Sequence, residues 1–165
     1  MALNIAKLHQ KLKGEVITAE HPDYTKAISR WAANAERRAK VVAFVKDNED
    51  IAVALNFAKA NGLSIAVRGG GHHAGGASSI EGGLVIDLSH HLNKVKVDPL
   101  KKLAYVGGGA LWEAVDKEAI KHGLATVAGT VNHVSRRVLA FIFMLIMQYM
   151  YRPVWGGLSG FSHCR

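Results

Sequence analysis

The stretch Arg68-Gly69-Gly70-Gly71-His72-His73-Ala74-Gly75-Gly76 restricts what this chain can fold into more than any other feature. It follows the mostly apolar run 63–67, so three glycines arrive where a buried strand must turn into a loop. Glycine lacks a Cβ, so such a loop can fold tightly and turn its backbone N–H groups toward an anion. A basic residue before the glycines and two imidazoles after them place chemistry beside that cradle. The pattern fits a phosphate-bearing cofactor.

With 165 residues, 49% hydrophobic and 21% charged, the chain has the length and apolar content for one domain with a real core. It is too short for two full domains. A net charge of +8 raises the question of nucleic acid, but residues 134–165 carry half of it through Arg136, Arg137, Arg152 and Arg165, with no acidic residue. Elsewhere the charges are interspersed, without a basic stripe or an aromatic stacking platform, so nucleic-acid binding is not expected. Cys164 is the single cysteine, which rules out an intrachain disulfide. Residues 1–13 alternate apolar and basic side chains and lack the continuous apolar core of a signal peptide, so a cytoplasmic location is expected.

Two regimes meet near His133. Up to that point helix-type and strand-type segments alternate. Asn48 as a cap, Glu49 and Asp50 in the first turn, then Ile51, Leu55 and Ala58 at helical spacing with Gly62 beyond, define a helix. Residues 41–44 before it and 64–67 after it read as strands, giving a βαβ unit. Residues 84–88 form another strand, and 95–97 with 103–106 a hairpin turned through Asp98 and Pro99. Gly107-Gly108-Gly109 then opens a helix over 110–122 with Leu111, Val115 and Ile120 on one face, stopped by Gly123. The class is α+β: a small mixed sheet with flanking helices, with more strands than a pure Rossmann alternation supplies. Trp31 and Trp112 read as core residues.

The sequence Ala66-Val67-Arg68-Gly69-Gly70-Gly71-His72, followed by Gly82-Gly83-Leu84-Val85-Ile86-Asp87-Leu88-Ser89, resembles the first half of the PCMH-type FAD-binding domain of the vanillyl-alcohol oxidase and p-cresol methylhydroxylase superfamily. Within it, the likeness is to berberine-bridge-enzyme-like FAD-linked oxidases. Trp31, Val41, Gly107-Gly108-Gly109 and Gly123-Leu124-Ala125-Thr126-Val127-Ala128-Gly129-Thr130-Val131 extend it over about residues 15 to 133. The resemblance implies that Arg68, Gly69, Gly70, Gly71, His72 and His73 form the pyrophosphate loop of FAD. It further implies that Gly76 and Ser78 close that loop and that Gly129 and Thr130 add cofactor contacts. His72 becomes the candidate for a covalent bond to the flavin's ring methyl, since a neutral imidazole is nucleophilic near neutrality. Some relatives add a cysteinyl bond from the later motif; Val131 stands at that position, so the resemblance implies at most the histidyl one.

Other readings of these residues stand beside that one. His73 is equally a loop histidine without a ligand. His90 and His91 have no Cys or Glu at ligand spacing, so a polar turn is expected there and no metal site. Gly107-Gly108-Gly109 lacks the spaced third glycine of a dinucleotide fingerprint and reads as a tight packing turn, although a helix start also attracts phosphate. The glycine loop could also serve a phosphate ligand other than FAD.

Beyond Val134 acidic residues vanish and 138–147 is an unbroken apolar run, shorter than the roughly 20 residues of a membrane span. Where the family continues into a second glycine-rich segment, Val134-Ser135-Arg136-Arg137 stands instead. We therefore expect a partial FAD-binding domain over 1–133 and an atypical apolar and basic tail over 134–165. Intron read-through or a misplaced exon boundary would produce such a tail, because Val-Ser can be encoded by GTAAGT, a common start of an intron. The family's substrate domain and catalytic base fall after the break, so no catalytic residue is assigned, and the chain alone is expected to be inactive. The expected partner is the small-molecule substrate of intact relatives. A different class of function is a non-catalytic chain that binds a partner or a membrane surface through 138–151, flanked by Arg136, Arg137 and Arg152. Sequencing the transcript across the His133 codon tests the tail. A splice junction there is expected, and a continuous spliced message encoding 134–165 would remove the read-through explanation.

Overall fold

The computed structural model describes residues 3–126 and the backbone of 145–146. A four-stranded mixed sheet holds β1 (Glu15–Thr18), β2 (Val41–Phe44), β3 (Ile65–Arg68) and β4 (Leu84–Asp87) in the order β1-β2-β4-β3. β1 is antiparallel to β2, whereas β2 and β3 both run parallel to β4. The expected βαβ unit is thus present with a difference: its two strands do not touch, because β4 lies between them. The reason is burial. All four residues of β2 and of β4 are buried, so these two apolar strands take the centre, while β3 leaves Ile65 and Val67 partly exposed at an edge.

Side chains alternate across the two central strands and so build two cores. On one face Val41, Ala43, Leu84 and Ile86 meet Leu8 and Leu12 around α1 (Ile5–Lys11), and Ala54 and Ala58 of α3 (Asn48–Ala60). On the other, Val42, Phe44, Val85 and Ala66 meet Tyr24, Ala27 and Ile28 of α2 (Tyr24–Ile28). The Tyr24 hydroxyl donates to the Ala39 carbonyl at 2.7 Å, which satisfies its polar end inside that core.

Helix α3 has the predicted extent, but its cap is Asp47 and not Asn48. Asp47 is the residue in extended conformation, and its carboxylate accepts from the Asp50 N–H at 3.0 Å. Asp50 itself is 1% exposed and accepts from three backbone N–H groups: Lys13 at 2.8 Å, Lys46 at 2.9 Å and Gly14 at 3.1 Å. One carboxylate therefore ties the turn before β1 and the turn before α3 to the helix start.

The second sheet contains the expected hairpin, β5 (Val95–Asp98) antiparallel to β6 (Leu103–Val106), and β7 (Leu145–Ile146) pairs with the other edge of β6. The only described part of the apolar run 138–151 is therefore a strand. Helix α4 (Trp112–Ile120) follows, shorter than predicted, with Val115 and Ala119 buried and Ala119 packed against Val97 and Ala104. Ile120, expected on the inner face, is 74% exposed, because the inward stripe runs through Ala119 and then Leu124. Trp31 is 66% exposed and Trp112 half-buried, so neither is a core residue. No described helix is long and apolar enough to cross a membrane.

Replacing Asp50 by Ala leaves three N–H groups without their acceptor and should lower stability by about 3 kcal/mol. Asp50→Asn keeps one acceptor oxygen and should lose about half as much. Urea unfolding checks this: the midpoint should fall while the slope stays constant.

Candidate functional site

Parallel pairing of β3 with β4 places Arg68 opposite Asp87 at the ends of both strands. The Arg68 guanidinium donates to Asp87 at 2.9 Å through Nη1, which also reaches the Ala27 carbonyl at 3.2 Å. Asp87 is fully buried, and its second oxygen accepts from the Ser89 N–H at 2.8 Å and the Ser89 hydroxyl at 2.6 Å. Each carboxylate oxygen thus has a partner, the condition under which a buried ion can be held. The Arg68 side chain is turned down into this pair, and its carbonyl accepts from the Leu88 N–H at 2.9 Å.

The glycine loop leaves β3 directly above that pair. Among the described residues, the backbone N–H groups of Gly69, Gly70 and Gly71 donate to no protein acceptor, so three successive donors remain for a ligand. Gly71 has φ +73, which favours glycine, and a Cβ there would also press on Arg30 Cδ at 3.3 Å and Arg68 Nε at 3.2 Å. His72 and His73 follow, both half-buried. The His72 ring lies 6.0 Å from that of Trp31. His73 folds over the next turn, its Nδ1 accepting from the Ala77 N–H at 3.1 Å and its carbonyl from the Gly76 N–H at 2.9 Å. Ser78 lies beneath the loop with its side chain buried. Gly129 and Thr130 lie outside the described residues, as does Val131.

Arg30 forms the floor. It is 7% exposed and donates to the Ser78 carbonyl from Nε and Nη2, at 3.2 and 2.8 Å, and from Nη1 to the carbonyls of Ala27 and Ser29. Burial, and then the charge of Arg68, push its pKa down to about 10, against the pull of Asp87 and Glu36. That is still far above neutrality, so at pH 7 the guanidinium is charged. Two cations and one buried anion below the loop make it a favourable place for further negative charge.

Beside the loop a cleft of about 390 Å³ opens between Arg68, Gly69 and Gly70 on one side and Gly109, Leu111 and Ala114 on the other. Ser89, Asn93 and the Glu113–Lys117 ion pair complete its wall. The turn at 107–109 packs tightly as expected: a Cβ on Gly109 would fall 2.1 Å from the Leu88 carbonyl oxygen. That close approach also brings Gly109 and the start of α4 to the cleft. His90 and His91 occupy the polar turn after β4, with His90 stacked on Phe44 at 4.0 Å.

Sequence reasoning missed Arg30, Asp87 and the cleft residues of α4. Asp87 carried a signal, a carboxylate ending an otherwise apolar buried strand, whereas Arg30 carried none. A diphosphate-bearing cofactor fits the arrangement, through the three open N–H groups and the adjoining cleft.

Comparison with known proteins agrees. The family described as FAD binding domain matches residues 39–139, more than half of the chain. An uncharacterized FAD-linked oxidoreductase, YgaK of Bacillus subtilis, is 36% identical over 124 residues, covering 75% of this chain and 27% of YgaK. The crystal structure of 6-hydroxy-D-nicotine oxidase from Arthrobacter nicotinovorans superposes with a TM-score of 0.73 at 33% identity, over 75% of this chain and 27% of that one. Glucooligosaccharide oxidase from Acremonium strictum, which carries a 6-S-cysteinyl, 8α-N1-histidyl FAD, shares the fold with a TM-score of 0.72 at 23% identity, over 81% of this chain and 28% of that one. The chain thus spans about 27% of the length of the relatives it matches.

Removing the carboxylate under the loop is the sharpest probe of this geometry. Asp87→Ala leaves Arg68 without its counter-ion and should cost about 3–5 kcal/mol. Ser89→Ala should cost about 1 kcal/mol, for one hydrogen bond. Denaturant unfolding of both variants at neutral pH measures the difference.

Proposed function

Because the chain belongs to the FAD-binding-domain family, we propose that the loop 68–76 holds the pyrophosphate of FAD and that His72 is the flavin's covalent tether. The observation that carries this is the run of three glycine N–H groups without an acceptor among the described residues, set above a buried ion pair. Gly69, Gly70 and Gly71 donate to phosphate oxygens. Arg30 adds positive charge from below without contacting the ligand. The cleft toward Gly109 and α4 receives the rest of the cofactor.

His72 stands at the far end of the open donors and beside the indole of Trp31. A histidyl bond is known for one structural neighbour, glucooligosaccharide oxidase, where it is accompanied by a cysteinyl one. Val131 offers no thiol, so one bond is the most this chain forms through those two positions. When bound, the flavin accepts two electrons from a small organic substrate, which is the chemistry we propose for the whole protein.

Purified protein should be yellow and should keep its visible flavin absorbance in the pellet after acid precipitation. His72→Ala should still bind FAD but release all of it to the acid supernatant. Acid-stable flavin in His72→Ala would remove His72 from the role. Tighter binding of a nucleotide other than FAD would overturn the cofactor assignment itself.

A further inference from the structure

Two adjacent residues, Arg30 and Trp31, hold opposite ends of the loop that carries His72. Trp31 N–H donates to the Gly71 carbonyl at 3.3 Å, immediately before His72. Arg30 grips the Ser78 carbonyl with two N–H groups, at 3.2 and 2.8 Å, at the other end. Its third nitrogen donates to the carbonyls of Ala27, at 3.2 Å, and Ser29, at 2.7 Å, which anchors the grip to the C-terminal end of α2. Between the two holds lie only short turns, closed by His73 and Gly76.

We propose that Arg30 and Trp31 form a staple that fixes the loop 71–78 in its flavin-receiving shape, with Arg30 as a positioning residue and the Trp31 indole as the wall beside His72. The inference rests on the reading of this loop as the FAD site. It extends that reading to residues outside the loop that no glycine or histidine motif includes.

The physical reason for a staple is that an anion cradle resists its own formation. Aligned N–H dipoles repel one another, and their convergence is favourable only once negative charge arrives. A loop fixed beforehand does not have to be ordered at the moment of binding, so more of the binding free energy is retained. Only a guanidinium suits this place. Its planar fork reaches one carbonyl twice and two others at once, whereas a lysine ammonium is a single point of donation. Trp31 contributes through its exposure. An indole that is 66% exposed beside the candidate tether is surface awaiting cover, and a flat aromatic ligand supplies it.

The test is run in the His72→Ala chain, which lacks the covalent bond and can be stripped of flavin, and compares that parent with the same chain carrying Arg30→Lys, Trp31→Ala or Trp31→Phe in two measurements. The first is amide hydrogen exchange without added flavin. Arg30→Lys should speed exchange in residues 72–77 about tenfold while the amides of β2 and β4 are unchanged, a factor worth about 1.4 kcal/mol. The second is FAD affinity, followed by flavin fluorescence. Arg30→Lys and Trp31→Ala should each weaken it about tenfold, and Trp31→Phe, which keeps a ring beside position 72, should retain most of it. Unchanged loop exchange in Arg30→Lys overturns the staple, and so does a rise shared equally by β2 and β4. Faster loop exchange with unchanged FAD affinity overturns its positioning role. A parent chain that binds no FAD overturns the function proposed above, while the exchange measurement still decides whether the staple exists.

Discussion

The ion pair between Arg68 and Asp87 is the constraint on which the rest depends. It exists because β3 and β4 run parallel in a register that sets these two residues opposite each other. A carboxylate with no exposure is tolerated only with a counter-charge and a full set of hydrogen bonds, and Arg68 and Ser89 supply them. Shifting the register by one residue would strand Asp87 and turn the apolar side chains of β4 to the wrong faces. The pair therefore specifies the end of the sheet. The glycine loop leaves from a point whose height and direction are already set.

Function follows from what surrounds that point. Gly69 and Gly70 line a cleft, two guanidinium groups lie underneath the loop, and the turn at 107–109 approaches near enough to bring α4 alongside. Anion binding then requires no mobile side chain, since the donors are backbone and the charges are fixed below. That arrangement suits the permanent holding of a cofactor better than the capture of a passing substrate. It also accounts for the absence of side-chain cations from the loop itself: Arg68 is spent on Asp87, and Arg30 on four carbonyl hydrogen bonds.

Much of the fold was legible in the sequence because its signals are local. The cap and acidic turn ahead of α3, the apolar strands at 41–44 and 84–87, and the hairpin through Asp98 and Pro99 each follow from the chemistry of neighbouring residues. What failed did so for reasons of packing. Asp47 and Asn48 are both good caps, and only the extended backbone of Asp47 decided between them. Ile120 fell outside the buried stripe because α4 is short and presents Ala119 to the hairpin. Trp31 looked like core by its size, yet lies exposed because its backbone and neighbour are tied to the glycine loop.

By itself the sequence determined where the loop is, that it must be glycine, and which family its ordered motifs belong to, since those depend on residues close together along the chain. The tertiary structure alone decided what lies beneath the loop. Arg30 comes from 38 positions before Arg68, and Asp87 from 19 after it, and no periodicity links them. They meet because parallel strands align their ends and because a buried charge must find its partners wherever the chain brings them. Local chemistry therefore names the cradle, and long-range pairing holds it in shape.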